Sequence, residues 1–454
     1  MTDNPLRALP AIDTLLHDAA ALVERYGRPA VVTALRTTLD QTRAKLRAGE
    51  AVPADQAAIL DAAAIRLARD FQPTLRSVIN ATGIILHTNL GRAPLSDAAQ
   101  AAITQAAANY STLEYDLDAG KRGSRLTHPE RALQAVTGAE AALVVNNNAS
   151  AVLLILSALA HGREVIISRG QLIEIGGGFR IPDVLAQSGA HLVEVGTTNK
   201  TRLADFERAL TPAAALLLRA HASNFKQIGF VEAPPLDGLA KLAHKHGALL
   251  IDDVGSGALL DTAVYGLDHE PTVQESLAAG ADLVAFSGDK LLGAPQAGII
   301  VGKAALIDKL KRHPLARAMR ADKLCLAGLI ATLDHYRKGE AVTHIPVWRM
   351  IAAPLDKLVA TAQAWANEIG GGAAAQVIVG ESLVGGGSLP GATLPTVLLA
   401  LDVPNATDFA AKLRAADPPV IARVADRRVL FDPRTVLPAQ APILTKVLYD
   451  LYNS

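Results

Sequence analysis

Six short apolar runs, each followed by small or polar residues and then by a stretch with helical spacing, limit what this chain can fold into. They lie at 141–145, 164–168, 191–195, 215–219, 248–253 and 281–286. Strand and helix signals in strict alternation predict parallel strands joined by helical crossovers, an α/β arrangement with a mostly parallel sheet. Open sheets of this kind bind ligands along the carboxyl edge of their strands. The residues just past each run are therefore the ones to read for chemistry.

At 454 residues the chain exceeds one ordinary core, and three regions are expected. Residues 1–70 are rich in Ala, Leu and Arg with apolar positions at helical spacing, and predict a small helical domain. Residues 71–335 hold the alternating runs. Residues 336–454 carry helical stretches, glycine breaks at 370–372 and 385–387, and short strand signals, which predict a separate α+β domain. A single cysteine rules out an intrachain disulfide, and no stretch of about 18 apolar residues spans a membrane, so a cytosolic protein is expected. With 44 basic and 44 acidic residues the chain is no general cationic coat for DNA, though a local basic patch remains compatible.

The run 281–286 opens into Ser287-Gly-Asp-Lys290-Leu-Leu-Gly-Ala-Pro-Gln-Ala-Gly298. Lys290 thus stands at a strand end ringed by glycines that let a flat ligand approach, a placement suited to a Schiff base with pyridoxal phosphate. Ser287 could add a hydroxyl to the phosphate. One βαβ unit earlier, the run 248–253 ends in two acids, and a carboxylate there can hold the pyridine nitrogen protonated. Asp253 is the first choice and Asp252 the second, because the pleat turns consecutive side chains to opposite faces. The elbow Asn147-Asn148-Ala149-Ser150 offers backbone N–H groups and a helix N-terminus to the phosphate, and Asn224 follows another strand to the same edge. No metal-ligand spacing is present.

Arginines supply the remaining signals. Arg92 sits in a Gly-Arg-Ala-Pro turn, Arg125 in a glycine-broken basic loop, and Arg317 and Arg320, three apart, predict a two-armed anion clamp on one helix side. Arg36, Arg43 and Arg47 fall along one side of an N-terminal helix, a stripe that could meet phosphates or simply face solvent.

The stretches INATGIILHTNLGRAPLS, YDLDAGKRGSR, VNNNASAVLL, EIGGGFRIPDV, VGTTNKT, IDDVGSGAL, FSGDKLLGAPQAGIIVGK and HPLARAMRADK resemble the bacterial selenocysteine synthase family, the L-seryl-tRNA(Sec) selenium transferases. The resemblance runs from about residue 76 to about 340. It implies an aspartate-aminotransferase-like (fold type I) large domain, pyridoxal phosphate on Lys290, and Arg92, Arg125, Arg317 and Arg320 around selenophosphate. It implies also that the N-terminal domain, with its Arg36 stripe, grips serine-charged tRNA(Sec). The expected assembly is a homodecamer, a pentamer of dimers, and the expected reaction turns the seryl group into a selenocysteinyl group through a dehydroalanyl-tRNA. Ala294 departs from the glycine expected in the lysine motif.

Two rival classes share parts of this pattern. A pyridoxal-phosphate lyase acting on a free small amino acid could use the same lysine, acid and arginines, and a cysteine desulfurase would need Cys325 as a mobile nucleophile. A non-catalytic tRNA-binding protein could retain the fold. The N-terminal domain discriminates the first, and Lys290 with Asp253 argues against the last.

Overall fold

A computed structural model describes Leu6 and residues 9–370 and 372–453. The chain forms two compact units, Met1–Ser77 and Val78–Ser454. In the first, the helices Ile12–Asp18, Ala20–Tyr26, Arg28–Arg47 and Gln56–Asp70 bury Leu15, Val31, Leu35, Leu39, Ile59 and Leu67 against one another. Leu35 and Leu39 are one turn apart, so a single stripe of the longest helix faces this core. Asp55 caps the last helix by accepting the Ala58 N–H at 2.8 Å.

The second unit is built on a seven-stranded sheet. Its spatial order is Ala141–Val145, Gly298–Gly302, Leu283–Ser287, Leu249–Gly255, Ala214–Ala220, Glu164–Ser168 and His191–Val195. Five strands from Leu283–Ser287 to His191–Val195 run parallel; Gly298–Gly302 is antiparallel to both of its neighbours. All six apolar runs are strands, and the seventh was missed because its Gly298 and Gly302 read as loop.

Both faces of this sheet are covered over its inner strands, which is why those strands are nearly continuously apolar, while the edge strand His191–Val195 is mostly exposed. Leu217, Leu250 and Val284 face the helices Thr127–Thr137, Leu236–Lys245 and Lys323–Arg337. Leu216, Leu218, Ile251 and Leu283 face Asn148–Leu159 and Ala304–Arg312 on the other side. Each such side chain contributes about 1.5–3 kcal/mol by leaving water.

A second sheet, of five strands, is ordered Arg423–Ala425, Arg428–Phe431, Thr393–Asp402, Ala375–Gly385 and Ile84–Leu86. Only its last pair is parallel. Helices Leu355–Ile369, Ala406–Ala415 and Ala441–Tyr452 bury Trp365, Phe409 and Leu444 with its Phe431 and Leu399. Residues 84–86 are thus carried through the C-terminal sheet. Gly370 (φ 68°) closes the helix Leu355–Ile369, and Gly371 of the expected break lies outside the described residues.

One glycine ties sheet to loop. At Gly298 a Cβ would stand 2.0 Å from the Asn147 carbonyl oxygen and 2.9 Å from the Asn148 nitrogen, so the backbone elbow at 147–148 sits where a side chain would go. Gly298→Ala should therefore push that elbow outward and cost about 2 kcal/mol or more. Urea unfolding of the Val78–Ser454 unit, followed against wild type, checks this.

Candidate active site

Strand register decides between the two aspartates. Asp252 lies opposite Val284 and Asp253 opposite Ala285, and the pleat sends them to opposite faces. Asp252 is wholly buried and takes Arg219 at two points, Nε to Oδ1 and Nη2 to Oδ2, both at 2.6 Å. Its partner is structural. Asp253 instead enters a cavity of about 270 Å³ that Lys290, Arg92, Asn147, Asn148, Ala149 and Ser287 also line. The structure thus brings together residues from three separate strand ends and one upstream turn.

Within that cavity burial sets the electrostatics. Lys290 is 7 % exposed, and burial holds its ammonium below the ordinary lysine value, with Arg92 pushing the same way and Asp253 opposing. The Asp253 carboxyl is raised, again by burial first, while the Asn148 hydrogen bond and Lys290 resist. Both groups are driven toward their neutral forms, the condition of an amine ready to attack a carbonyl and an acid awaiting a cationic partner.

The elbow after Ala141–Val145 divides its roles differently from the sequence reading. Asn147 accepts the Ser150 N–H at 2.8 Å, so these two residues close the helix's own cap. The Asn148 amide donates to Asp253 Oδ1 at 2.8 Å, and its carbonyl oxygen is buried without a partner. Ser287, 5 % exposed, lines the cavity, whereas Asn224 lies in a neighbouring hollow and donates to the Glu174 carbonyl at 3.1 Å.

The arginines fall into two groups. Arg92 takes a left-handed backbone conformation (φ 62°) and reaches Asp289 at 2.8 Å, beside Lys290 in sequence. A non-glycine residue held there stores about 1 kcal/mol or more of strain, a cost seen where geometry serves a site. Arg125, Arg317 and Arg320 line a second hollow of about 340 Å³ together with Arg122, Lys311 and Glu114. Glu114 receives Arg125 at 2.6 and 2.8 Å, Arg122 at 2.9 Å and Arg320 at 3.6 Å, and the Arg125 guanidinium holds its carboxyl below the usual range. The two-armed clamp is not one helix face: the helix Pro314–Ala318 carries Arg317 and has ended before Arg320, which forms a bridge to Val145. That bridge puts the cationic hollow next to the strand that leads into the first cavity.

Arg36, Arg43 and Arg47 lie on the helix Arg28–Arg47 at spacings of seven and four, and Arg43 pairs with Asp40 at 2.8 Å on an exposed side. Cys325 is on the helix Lys323–Arg337. Its thiol donates to the Gln296 carbonyl at 3.3 Å and is pushed by burial up to about 12, which removes the thiolate a desulfurase needs.

Two contributors escaped sequence reasoning. His221 accepts the Ser223 N–H on Nδ1 at 2.9 Å and sets Nε2 2.9 Å from a carboxylate oxygen of Glu270, itself 3 % exposed. Gly387, from the C-terminal sheet's glycine break, covers Lys290. A Cβ there would fall 2.6 Å from the lysine Cε and 2.8 Å from Nζ. Neither has a local signature, since each acts across more than 30 residues of sequence; the glycine triplet was the one visible hint.

Comparison with known proteins agrees with this arrangement. Residues 78–437 match the family described as L-seryl-tRNA selenium transferase, and residues 6–43 that described as selenocysteine synthase N terminal. An L-seryl-tRNA(Sec) selenium transferase of Geobacter sulfurreducens is 45% identical over 454 residues, 98% of each chain. One from Moorella thermoacetica is 47% identical over 453 residues, 98% of this chain and 96% of that one. Among solved structures, D-glucosaminate-6-phosphate ammonia-lyase shares the fold, with a TM-score of 0.58 at 22% identity over 84% of this chain and 96% of that chain. The architecture is the aspartate-aminotransferase-like one expected, and by the span of these matches the chain belongs to the L-seryl-tRNA selenium transferase family.

Proposed function

We propose that the protein is a pyridoxal-phosphate-dependent enzyme that converts L-seryl-tRNA(Sec) to L-selenocysteinyl-tRNA(Sec) with selenophosphate. The observation that carries this reading is the Lys290–Asp253 cavity in a member of that family. The residues fit the cofactor on chemical grounds. Lys290 is a buried amine with a depressed ammonium, Asp253 is a buried acid whose raised carboxyl calls for a cationic ring nitrogen, and the Asn148 oxygen is a buried acceptor still wanting a donor. Lys290 would hold its aldehyde, Asp253 its ring nitrogen, and the Asn147–Ser150 elbow with Ser287 its phosphate. Bound there, pyridoxal phosphate supplies an electron sink for chemistry at the seryl α-carbon.

The protein's own groups supply the rest. The Lys290 amine, whose charged form burial disfavours, would be the base for the α-proton. Asp253 would keep the ring nitrogen protonated, and Asn148 holds Asp253 in place. Arg92, Arg125, Arg317 and Arg320 would hold the selenophosphate dianion, by charge-assisted hydrogen bonds, so that selenium adds to the β-carbon after the hydroxyl has left. The carbon–oxygen bond is replaced by carbon–selenium and the phosphorus–selenium bond is exchanged for phosphorus–oxygen, giving phosphate. No electrons change hands with an outside reagent.

The exposed Arg36 stripe is assigned to tRNA phosphates and the assembly to a homodecamer, a pentamer of dimers, in the cytoplasm. Among the described residues no helix is long and apolar enough to cross a membrane. The lyase reading loses ground because residues 6–43 match a family described by its selenocysteine synthase N terminus, a segment that a free amino acid would not require.

Three outcomes test these assignments. Lys290→Ala should abolish the visible absorbance of the bound cofactor and seryl conversion together, both read on purified protein; a colourless but active variant overturns the proposal. Arg317→Ala should raise the KM for selenophosphate by about 10- to 100-fold, the loss of one charge-assisted bond, with tRNA affinity unchanged by filter binding. Replacing Arg36 and Arg47 with alanine should weaken tRNA binding and reduce the slope of log K against log salt by about 2, read by titration at several salt concentrations.

A further inference from the structure

Beside the Lys290 cavity lies a hollow of about 360 Å³ that the chemistry above does not use. It forms where the strand Ile84–Leu86 meets Ala375–Gly385, and Ser223 and Asn224 close its other side. We propose that this hollow seats the 3′-terminal adenosine of the aminoacyl-tRNA; the assignment rests on the seryl-tRNA reading and gives it a place for the nucleoside end.

Two buried polar atoms here have no partner: His87 Nδ1 and Ser223 Oγ. Leaving such groups unpaired costs about 1–3 kcal/mol each, and a fold tolerates that where a ligand completes them. Ser223 is 4 % exposed and is held at φ 55°, a strained position for a residue with a side chain. Burial lowers the His87 pKa, so its ring is neutral at physiological pH and presents one donor and one acceptor. A purine edge and ribose hydroxyls offer that same pairing.

The lining distinguishes a nucleoside from a phosphate. No Lys, Arg, Asp or Glu is among the residues that line this hollow, whereas the Arg125 hollow holds five cations and one carboxylate. An anion finds no countercharge here. Leu86, Leu383 and Ile84 give an apolar floor, and the bare backbone of Gly385 and Gly386 gives a flat wall suited to a planar base.

The same glycine strap connects the hollow to the reacting centre. Gly387 donates its N–H to the Ser223 carbonyl at 3.1 Å, while its other side lies against Lys290. A nucleoside on one side of the strap, esterified through its ribose, would pass the seryl group over Gly387 to the amine.

The test uses the full-length, cofactor-loaded protein and the stable analogue 3′-serylamido-3′-deoxyadenosine, with binding read by calorimetry. Ser223→Ala, His87→Phe and, as an obstruction, Ala392→Trp should each weaken it about tenfold or more, while the visible absorbance stays intact. Serinamide, which lacks the nucleoside, should bind equally to all four proteins. Equal affinity for the analogue in wild type and all three variants, or no binding to wild type, overturns the proposal. Failure of wild type to convert seryl-tRNA while the analogue still binds in this pattern would sink the functional reading and leave the nucleoside site standing.

Discussion

A primary amine buried beside a carboxylic acid is the constraint around which the second unit is arranged. Burial alone pushes both groups toward neutrality, and their mutual attraction pulls the other way. A fold gains nothing in stability from such a pair, since desolvation offsets the Coulomb gain. It survives because the surrounding strands are anchored elsewhere: Asp252, one residue away on the opposite face, is locked by Arg219, and continuous apolar packing holds the sheet from both sides. The two adjacent aspartates thus divide the work, one fixing the strand and the other left available.

Room for the amine comes from missing side chains. Gly387 presses on the lysine from the C-terminal sheet, and Gly298 lets the Asn147 elbow approach from the neighbouring strand. A methyl at either place would occupy space already taken by Lys290 or by the elbow's backbone. The C-terminal sheet is therefore part of the cavity, not a cover beside it. That also explains why Ile84–Leu86 belongs to that sheet: it carries the chain from there to His87 and then to Arg92, at the mouth of the site.

Local order was legible in the sequence and long-range order was not. Strand ends announce themselves because apolar runs stop at glycine or polar residues, and Lys290, Asp253, Asn147 and Ser287 could be placed on one edge from that rule alone. The choice of Asp253 over Asp252 needed register, which pairing across more than 30 residues decides. The three-residue spacing of Arg317 and Arg320 looked helical, yet a helix of five residues ended between them when Arg320 bridged to Val145. The Asn148 side chain, about which the elbow's backbone pattern says nothing, donates to Asp253 because a buried carboxylate competes strongly for a nearby amide donor. The contacts of Gly387 and Glu270 were not legible, since nothing in their neighbours tells which distant side chain they will meet, although the glycine triplet itself was visible.

Charge placement shows how a chain of zero net charge can serve a large anionic substrate. Among the cations, five line the hollow at Arg125, Arg317 and Arg320 and three form the stripe at Arg36, Arg43 and Arg47, while the hollow at His87 and Ser223 is uncharged. Glu114 inside the cationic hollow keeps Arg125, Arg122 and Arg320 oriented by ion pairs, so an incoming dianion replaces or shares an existing partner instead of ordering free side chains. The neutral hollow discriminates in the opposite way, because a phosphate would lose its water there for no compensating charge. The two hollows thus differ in what they can desolvate: the cationic one favours an anion and the uncharged one a neutral group.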